Sequence, residues 1–159
     1  NKYSNNVIAR SLVLLSDTGN KVDGEQALQQ LRQQLQHDGI DDGTVVLENG
    51  SGLSRRERVS ARMMGTLLNK AYHSPYREAF WNSLPIAGVD GTLRKRFKPL
   101  TGRLHLKTGT LDNVHALAGY GVDDAGQTVS IVVMVNGPDT PQTLTQMDNL
   151  VTKIMAMPH

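Results

Sequence analysis

Residues 102–136 read GRLHLKTGTLDNVHALAGYGVDDAGQTVSIVVMVN, and this stretch decides the fold class. It contains three strand-like runs, RLHLK (103–107), NVHALAGYGV (113–122) and TVSIVVMVN (128–136). The tetrapeptide DDAG (123–126) is typical of a tight turn between the second and third runs. The spacing therefore predicts a meander of antiparallel strands.

Helical patterns precede these strands. The run VIARSLVLL is apolar enough for a buried helix. The next helix has its apolar residues on one face, with Asp23 as its N-cap and Gly39 as its terminator. The predicted helices cover residues 7–15, residues 24–37, a segment capped by Ser60, and about residues 76–83 after Pro75.

The remaining segments complete the fold prediction. TVVLE (44–48) is a short β-branched run, and residues 84–102 are rich in proline and glycine, which predicts a long loop. Pro141 opens a final helix, with Thr140 as its cap. Because helices and strands are segregated along the chain, the sequence predicts an α+β fold.

Composition excludes several classes of function. The 159 residues include no cysteine, so disulfides and thiolate zinc sites are excluded. The net charge is only +2, and the basic run at residues 94–98 is interpreted as a solvated loop, so no nucleic-acid partner is predicted. No apolar stretch reaches the roughly 20 residues of a membrane span. His37, His73 and His159 lack metal-ligand spacing, and neither a metal nor another cofactor is predicted.

The string Leu106-Lys-Thr-Gly-Thr110 occurs in two kinds of chemistry. In the phosphorylated loop of ion pumps an aspartate precedes Lys-Thr-Gly-Thr and acts as the nucleophile, but here that position is Leu106. A phosphate-binding P-loop needs Gly-Lys-Ser/Thr, and this chain has Lys-Thr-Gly. Both phosphate chemistries therefore lack the residues they require.

Acyl transfer by penicillin-interacting serine enzymes uses Ser-x-x-Lys, Ser-x-Asn and Lys-Thr-Gly. Ser4-Asn5-Asn6 matches the second signature, and Lys107-Thr108-Gly109 matches the third in the correct order. Simpler interpretations exist: Ser4 and Asn6 as a helix cap, and the Lys-Thr-Gly string as a strand end. By the same reasoning His105 and His115 are solvent-facing or satisfied, and Ser51 and Ser54 shape a turn.

Four blocks in order resemble one family. YSNNVIARSL, GTVVLENGSGLSRRERVSARMMGTLL, SLPIAGVDGTL and GRLHLKTGTLDNVHALAGY are similar to D-alanyl-D-alanine carboxypeptidase/endopeptidases, the low-molecular-mass class C penicillin-binding proteins of peptidase family S13. The resemblance covers residues 1 to about 137. It implies a transpeptidase-like fold in the periplasm, with peptidoglycan stem peptides and β-lactams as ligands. It also implies three sheet strands, the terminal helix and most of an all-α region here.

The resemblance also implies roles for the matching residues. Ser4 would pass a proton between the nucleophilic serine and the leaving amine, with Lys107 close by, and Asn6 would hold a ligand carbonyl and a neighbouring lysine. The ammonium of Lys107 and the hydroxyls of Thr108 and Thr110 would bind the substrate carboxylate. Gly109 would let the substrate lie along the strand edge, and the Thr110 N–H would form part of the oxyanion hole.

One signature of the family is missing. No Ser-x-x-Lys occurs, and the nearest strings, at residues 18–21 and 92–95, begin with threonine. Because the chain also begins at Asn1 rather than methionine, residues 1–159 are expected to be the C-terminal portion of a serine DD-peptidase domain. Its partner would be an N-terminal portion of the same protein that carries Ser-x-x-Lys. The alternative is a non-catalytic protein of the same fold that binds cell-wall peptides.

Overall fold

The computed structural model describes residues 1–17 and 23–157, which form five α-helices, two 3₁₀ turns and three strands. Residues 18–21 and His159, considered above, lie outside the described residues. The chain divides into two compact units: one comprises Asn5–Thr66, and the other combines Asn1–Ser4 with the chain from Leu67 onward. None of the described helices is long and apolar enough to cross a membrane.

The unit Asn5–Thr66 contains helices α1 (Asn6–Leu15) and α2 (Gly24–His37), and the start of α3 (Ala61–Tyr72). The capping predictions are confirmed, because the Asp23 carboxylate accepts from the N–H groups of Glu25 and Gln26, and Gly39 ends α2 in a left-handed conformation. Ser60 Oγ accepts from Met63 N–H at the start of α3.

Two segments of this unit are less regular or less buried than their apolar residues suggest. Residues 44–48 form no strand, since their only pairing is an isolated bridge between Val46 and Arg58. A β-branched run becomes a strand only when a ladder of partners is available. Helix α1 exists as predicted but is not buried: it has no buried residue, and Val7, Ile8, Leu12 and Leu15 are all more than half exposed.

The second unit is built on one antiparallel sheet in the order β1 (Leu104–Leu111), β2 (Val114–Val122) and β3 (Thr128–Asn136). The predicted meander is confirmed, but β1 extends four residues further than RLHLK and contains the whole Lys-Thr-Gly-Thr string. The turn at 123–126 is also confirmed, with the Asp123 carboxylate accepting from the N–H groups of Ala125 and Gln127.

Helices cover the two faces of this sheet. On one face α5 (Thr143–Met155) buries Met147, Val151 and Met155 against a cluster that includes Leu106 and Leu117. On the other face Tyr120 is buried, stacks on Trp81 of α4 (Arg77–Ser83) with ring centroids 5.0 Å apart, and donates to Leu68 O. These observations confirm the α+β prediction.

The segment between α4 and β1 is more ordered than a solvated loop. It contains two 3₁₀ turns, Gly91–Leu93 and Lys98–Leu100, and buries Leu93, Phe97 and Leu100 in the core. The basic run at residues 94–98 is therefore only partly solvated, since Phe97 is buried and Arg96 pairs with Asp148 of α5. The apolar residues between the glycines and prolines supply this packing.

The start of α5 also differs from prediction. The helix begins at Thr143 rather than at Pro141, and its N-cap is Gln142 without a side-chain hydrogen bond. Instead, the carbonyl oxygen of Thr140 accepts a hydrogen bond from Thr143 N–H at 3.0 Å. The turn before the helix is thus closed by the backbone, and the Thr140 hydroxyl is not the cap.

Candidate active site

Strand β1 presents two different edges. Ala87 N–H donates to Leu104 O and Leu106 N–H donates to Pro85 O, on the side of β1 that faces away from β2. Main-chain groups of a strand alternate between its two sides, so those of Thr108 and Thr110 lie on this same outer edge. In the part of the chain that the structure describes, no strand pairs with β1 there. The outer edge at 108–110 therefore lacks a strand partner among the described residues and can accept another extended chain.

Lys107 and Ser4 lie together although 103 positions separate them. Lys107 Nζ donates to Ser4 Oγ at 2.6 Å, and also donates to Thr108 O. Both residues belong to the same compact unit and are partly buried. The contact leaves the Ser4 proton and one oxygen lone pair available to other groups.

The backbone around Ser4 explains how its hydroxyl is presented. Ser4 has φ +53°, a left-handed conformation that costs a non-glycine residue energy, and its N–H donates to Asn1 O at 3.1 Å. The cap of α1 is Asn5, whose Oδ1 accepts from Ile8 N–H at 3.0 Å. The simpler interpretation of Ser4 as a helix cap is therefore wrong.

Asn6 belongs to the unit Asn5–Thr66, where it is the first residue of α1. Its Nδ2 donates to Ser51 O at 2.5 Å. The surrounding ENGSGLS segment forms turns as predicted, because Ser51 N–H and Oγ both donate to Asn49 Oδ1 and Ser54 Oγ accepts from Arg56 N–H. This turn fixes the orientation of the Asn6 amide within its own unit.

The remaining predicted site residues follow Lys107 along β1. Thr108 is partly buried and its hydroxyl donates to Thr92 Oγ1 at 2.9 Å, whereas Gly109 and Thr110 are exposed. In the register of the sheet Gly109 lies opposite Ala116 and Thr110 lies opposite His115. The string therefore presents a short exposed stretch of strand beside Lys107.

Burial affects the ionisation of this site. Desolvation lowers the pKa of Lys107 below its usual value of 10.5. It also lowers the pKa of His105, with a smaller contribution from the charge of Lys2, whereas a backbone hydrogen bond at Trp81 and the charge of Asp90 raise it. Lys107 is therefore more easily deprotonated than a lysine in water.

The strand histidines were interpreted as solvent-facing or satisfied, and for His115 the second alternative holds. His105 and His115 are both buried, and His105 lies 4.6 Å from Trp81 between ring centroids. His115 Nε2 is 2.7 Å from Asp139 Oδ1, so this nitrogen has a partner. No group of three potential metal ligands forms within residues 1–17 and 23–157, where His37 contacts Asp38 and His73 contacts Asn69 O.

Sequence reasoning missed three residues beside this site: Lys2, Asp90 and Thr92. Lys2 pairs with Asp90, and Thr92 N–H donates to Lys2 O at 3.2 Å. Asp90 and Thr92 belong to the SLPIAGVDGTL block, which carried no chemical role. The resemblance of this block to the family was the available signal for these residues. Its contact with residues 1–4 could not be predicted, because the two segments are about 80 positions apart in the sequence.

Comparison with known proteins gives consistent matches. The family model described as the D-Ala-D-Ala carboxypeptidase 3 (S13) family matches residues 1–156. The D-alanyl-D-alanine carboxypeptidase of Actinomadura sp. (strain R39) is 32% identical over 162 residues, which cover 96% of this chain and 30% of that protein. The D-alanyl-D-alanine carboxypeptidase DacB of Haemophilus influenzae is 36% identical over 110 residues, which cover 67% of this chain and 23% of that protein.

Solved structures agree with these matches. Penicillin binding protein 4 of Haemophilus influenzae, crystallised in complex with a β-lactam, is similar with a TM-score of 0.85 and 30% identity. The match covers 97% of this chain and 39% of that chain. This chain therefore spans well under half the length of the proteins it matches.

Proposed function

Because the chain belongs to the D-Ala-D-Ala carboxypeptidase 3 (S13) family, we propose that the protein containing it is a serine-type D-Ala-D-Ala carboxypeptidase and endopeptidase. It acts on peptidoglycan peptides through an acyl-enzyme and is inhibited by β-lactams. The observation that carries the proposal is the 2.6 Å contact between Lys107 Nζ and Ser4 Oγ. A hydroxyl held by a half-buried lysine is suited to proton transfer.

Ser4 acts as the proton relay in this proposal. The nucleophilic serine attacks the scissile carbonyl, its proton passes to Ser4 Oγ, and the proton of Ser4 passes to the leaving amine as the C–N bond breaks. The hydroxyl thus receives one proton and releases one. The Lys107 hydrogen bond restrains rotation of Ser4 Oγ, which favours a short proton path.

Lys107 also attracts the terminal carboxylate of the substrate. Its ammonium is partly desolvated, so its attraction for a carboxylate is less screened than on an open surface. The hydroxyls of Thr108 and Thr110 act with it, and Asn6 holds a substrate carbonyl and the lysine of the missing Ser-x-x-Lys. A substrate that ends in a free carboxylate fits the donors of Lys107, Thr108 and Thr110.

The outer edge of β1 supports the binding mode. Main-chain groups of Thr108 and Thr110 lie on the edge that has no strand partner in the described residues. An extended peptide adds there as a strand, with the Thr110 N–H as one arm of the oxyanion hole and Gly109 allowing close approach. The nucleophile and its activating lysine come from an N-terminal portion of the same protein. The whole protein acts in the periplasm.

Labelling of the full-length protein with a fluorescent penicillin tests the proposal. The wild-type protein should form a covalent adduct, and Ser4→Ala and Ser4→Gly should each form it about 100-fold more slowly, the scale of a lost proton transfer. Glycine tolerates the left-handed backbone of Ser4, so agreement of the two variants separates loss of the hydroxyl from strain. Ser130→Ala, an exposed position on β3, is the matched control and should react like the wild type. A wild-type protein that never forms an adduct but binds stem peptides reversibly would instead be a non-catalytic binding protein.

A further inference from the structure

The block Leu84-Pro-Ile-Ala-Gly-Val-Asp-Gly-Thr-Leu93 has no role in the chemistry described above. We propose that its residues Asp90, Gly91 and Thr92 form a cradle that holds the backbone of Lys2 and thereby sets the position of the Ser4 hydroxyl against Lys107. The inference rests on the proposed function, because it concerns the placement of the proton relay. Asp90, Gly91 and Thr92 are positioning residues in this scheme.

Asp90 contacts both the turn that contains it, at Ile86, and the side chain of Lys2. Its Oδ1 accepts from Ile86 N–H at 2.8 Å, which fixes the carboxylate within the turn, and its Oδ2 pairs with the Lys2 ammonium. Burial alone would raise the pKa of Asp90, but the hydrogen bonds from Lys2 and Ile86 outweigh it and lower that pKa. Asp90 is therefore a fixed anionic partner for Lys2.

Gly91 provides the space for the Lys2 backbone. It has φ +55°, and a Cβ built there would lie within 3.0 Å of the Lys2 carbonyl oxygen, closer than real Cβ atoms approach. The obstacle is backbone and not a flexible side chain. Only glycine permits this approach, so residue 91 and Lys2 are in direct contact through their main chains.

Thr92 completes the cradle and connects it to the substrate strand. Its N–H donates to Lys2 O at 3.2 Å, and its Oγ1 accepts from the Thr108 hydroxyl at 2.9 Å. Thr92 therefore contacts both the segment before Ser4 and Thr108, the residue of β1 that follows Lys107. Both partners of the Ser4–Lys107 contact are located relative to one short turn.

The position of Ser4 depends on these contacts because few others hold it. Residues 1–4 contain no helix or strand, and Ser4 itself has a costly left-handed backbone that surrounding structure must maintain. Asn1 adds one exposed contact, from its Nδ2 to Ser83 Oγ at 2.8 Å. Proton transfer is sensitive to displacements of about 1 Å, so loosening the cradle should slow the reaction before it affects folding.

The test measures acylation of the full-length protein by a penicillin, with the dissociation constant of the first, non-covalent complex and the acylation rate constant determined separately. Gly91→Ala should acylate about 100-fold more slowly, the effect expected for a displacement of about 1 Å. Asp90→Asn and Lys2→Met should each be about 10-fold slower, the scale of one weakened charged hydrogen bond. Lys2→Arg, which keeps the charge, should react like the wild type. The dissociation constant should stay unchanged in all four variants.

Matched controls carry the same chemical changes elsewhere. Gly65→Ala lies in α3 with no atom near its new Cβ, and Asp124→Asn removes an exposed partner of Arg103. Both should acylate at the wild-type rate. The cradle is refuted if Gly91→Ala and Asp90→Asn also acylate at that rate, or if their losses merely follow a fall in melting temperature.

Failure of the proposed function gives a different result. In that case the wild-type protein forms no adduct at all, and hydrogen exchange then decides the structural part of the inference. Exchange at Thr92 N–H and across residues 1–6 should be faster in Gly91→Ala and Asp90→Asn than in the wild type. Unchanged exchange at these amides would overturn the cradle.

Discussion

Gly109→Ala is the substitution that separates substrate binding from folding most clearly. Gly109 is exposed on β1, and a Cβ added there would meet only Ala116 Cβ, at 3.4 Å, which is ordinary van der Waals contact. Its φ does not lie in the left-handed region, so alanine fits the backbone. Replacing glycine at such a position stabilises a protein by about 0.4–1 kcal/mol, because the unfolded chain loses freedom. The melting temperature should therefore stay the same or rise.

The effect on activity should have the opposite sign. A substrate that adds as a strand along the outer edge of β1 passes over position 109, and a methyl group there displaces it by about 1 Å. Such a displacement costs about 100-fold in kcat/KM, which corresponds to about 2.7 kcal/mol. Hydrolysis of a peptide ending in D-Ala-D-Ala by the full-length protein, with thermal unfolding measured in parallel, gives both quantities.

A control and a clear refutation accompany this prediction. Gly65→Ala in α3 makes the same change in open space and should leave kcat/KM unchanged. If Gly109→Ala retains wild-type kcat/KM, the substrate does not follow this strand, and the assignment of Gly109 fails. A lowered melting temperature would show that the glycine serves the fold instead.

Three side chains with shifted pKa values and the exposed apolar surface of α1 can be tested directly. Burial lowers the pKa of Lys107, so kcat/KM should begin to fall at a pH below 10.5 as Lys107 loses its proton. Over the same pH range the free energy of unfolding should rise, because the unfolded chain binds the proton more tightly than the folded chain. Lys107→Arg should move the fall in kcat/KM to higher pH. The hydrogen bond from His115 lowers the pKa of Asp139, so the loss of melting temperature in Asp139→Asn should shrink as pH falls below 3.8. Burial raises the pKa of Tyr120 to about 12, so its ultraviolet titration should occur there, and Tyr120→Phe should cost about 1 kcal/mol through its lost hydrogen bond to Leu68 O. Residues 1–159 expressed alone should associate in light scattering, because α1 exposes four large apolar side chains; a stable monomer would contradict this.

Capping residues and turn residues correctly predicted the elements that contacts within a few residues determine. Asp23 and Gly39 delimit α2 correctly, because a cap and a left-handed terminator act within a few residues. The β-branched run at 44–48 forms no strand, because a ladder needs partners that periodicity does not reveal. Burial was harder to predict for similar reasons: α1 was expected to be covered but is exposed, and His105, for which a solvent-facing position was one alternative, is buried. Both depend on what packs against the element.

The site was predictable from sequence only in its parts. Lys107 and Ser4 were identified from motifs, and the resemblance to a family implied that they lie close together, whereas the hydrogen bond that joins them across 103 positions is a property of the folded chain. Lys2 was missed because it belongs to no motif, and its partners act through charge and backbone groups. Main-chain contacts such as Thr92 N–H to Lys2 O leave almost no trace in side-chain chemistry.

The segment before Ser4 also has a practical use. The backbone of Lys2 is held by Thr92, yet the next side chain, Tyr3, is 83% exposed. These 159 residues contain no cysteine, so Tyr3→Cys creates a unique position in this chain for a thiol-reactive fluorophore. The dye would be attached one residue from Ser4 while projecting into solvent, and its emission would report occupation of the site in real time.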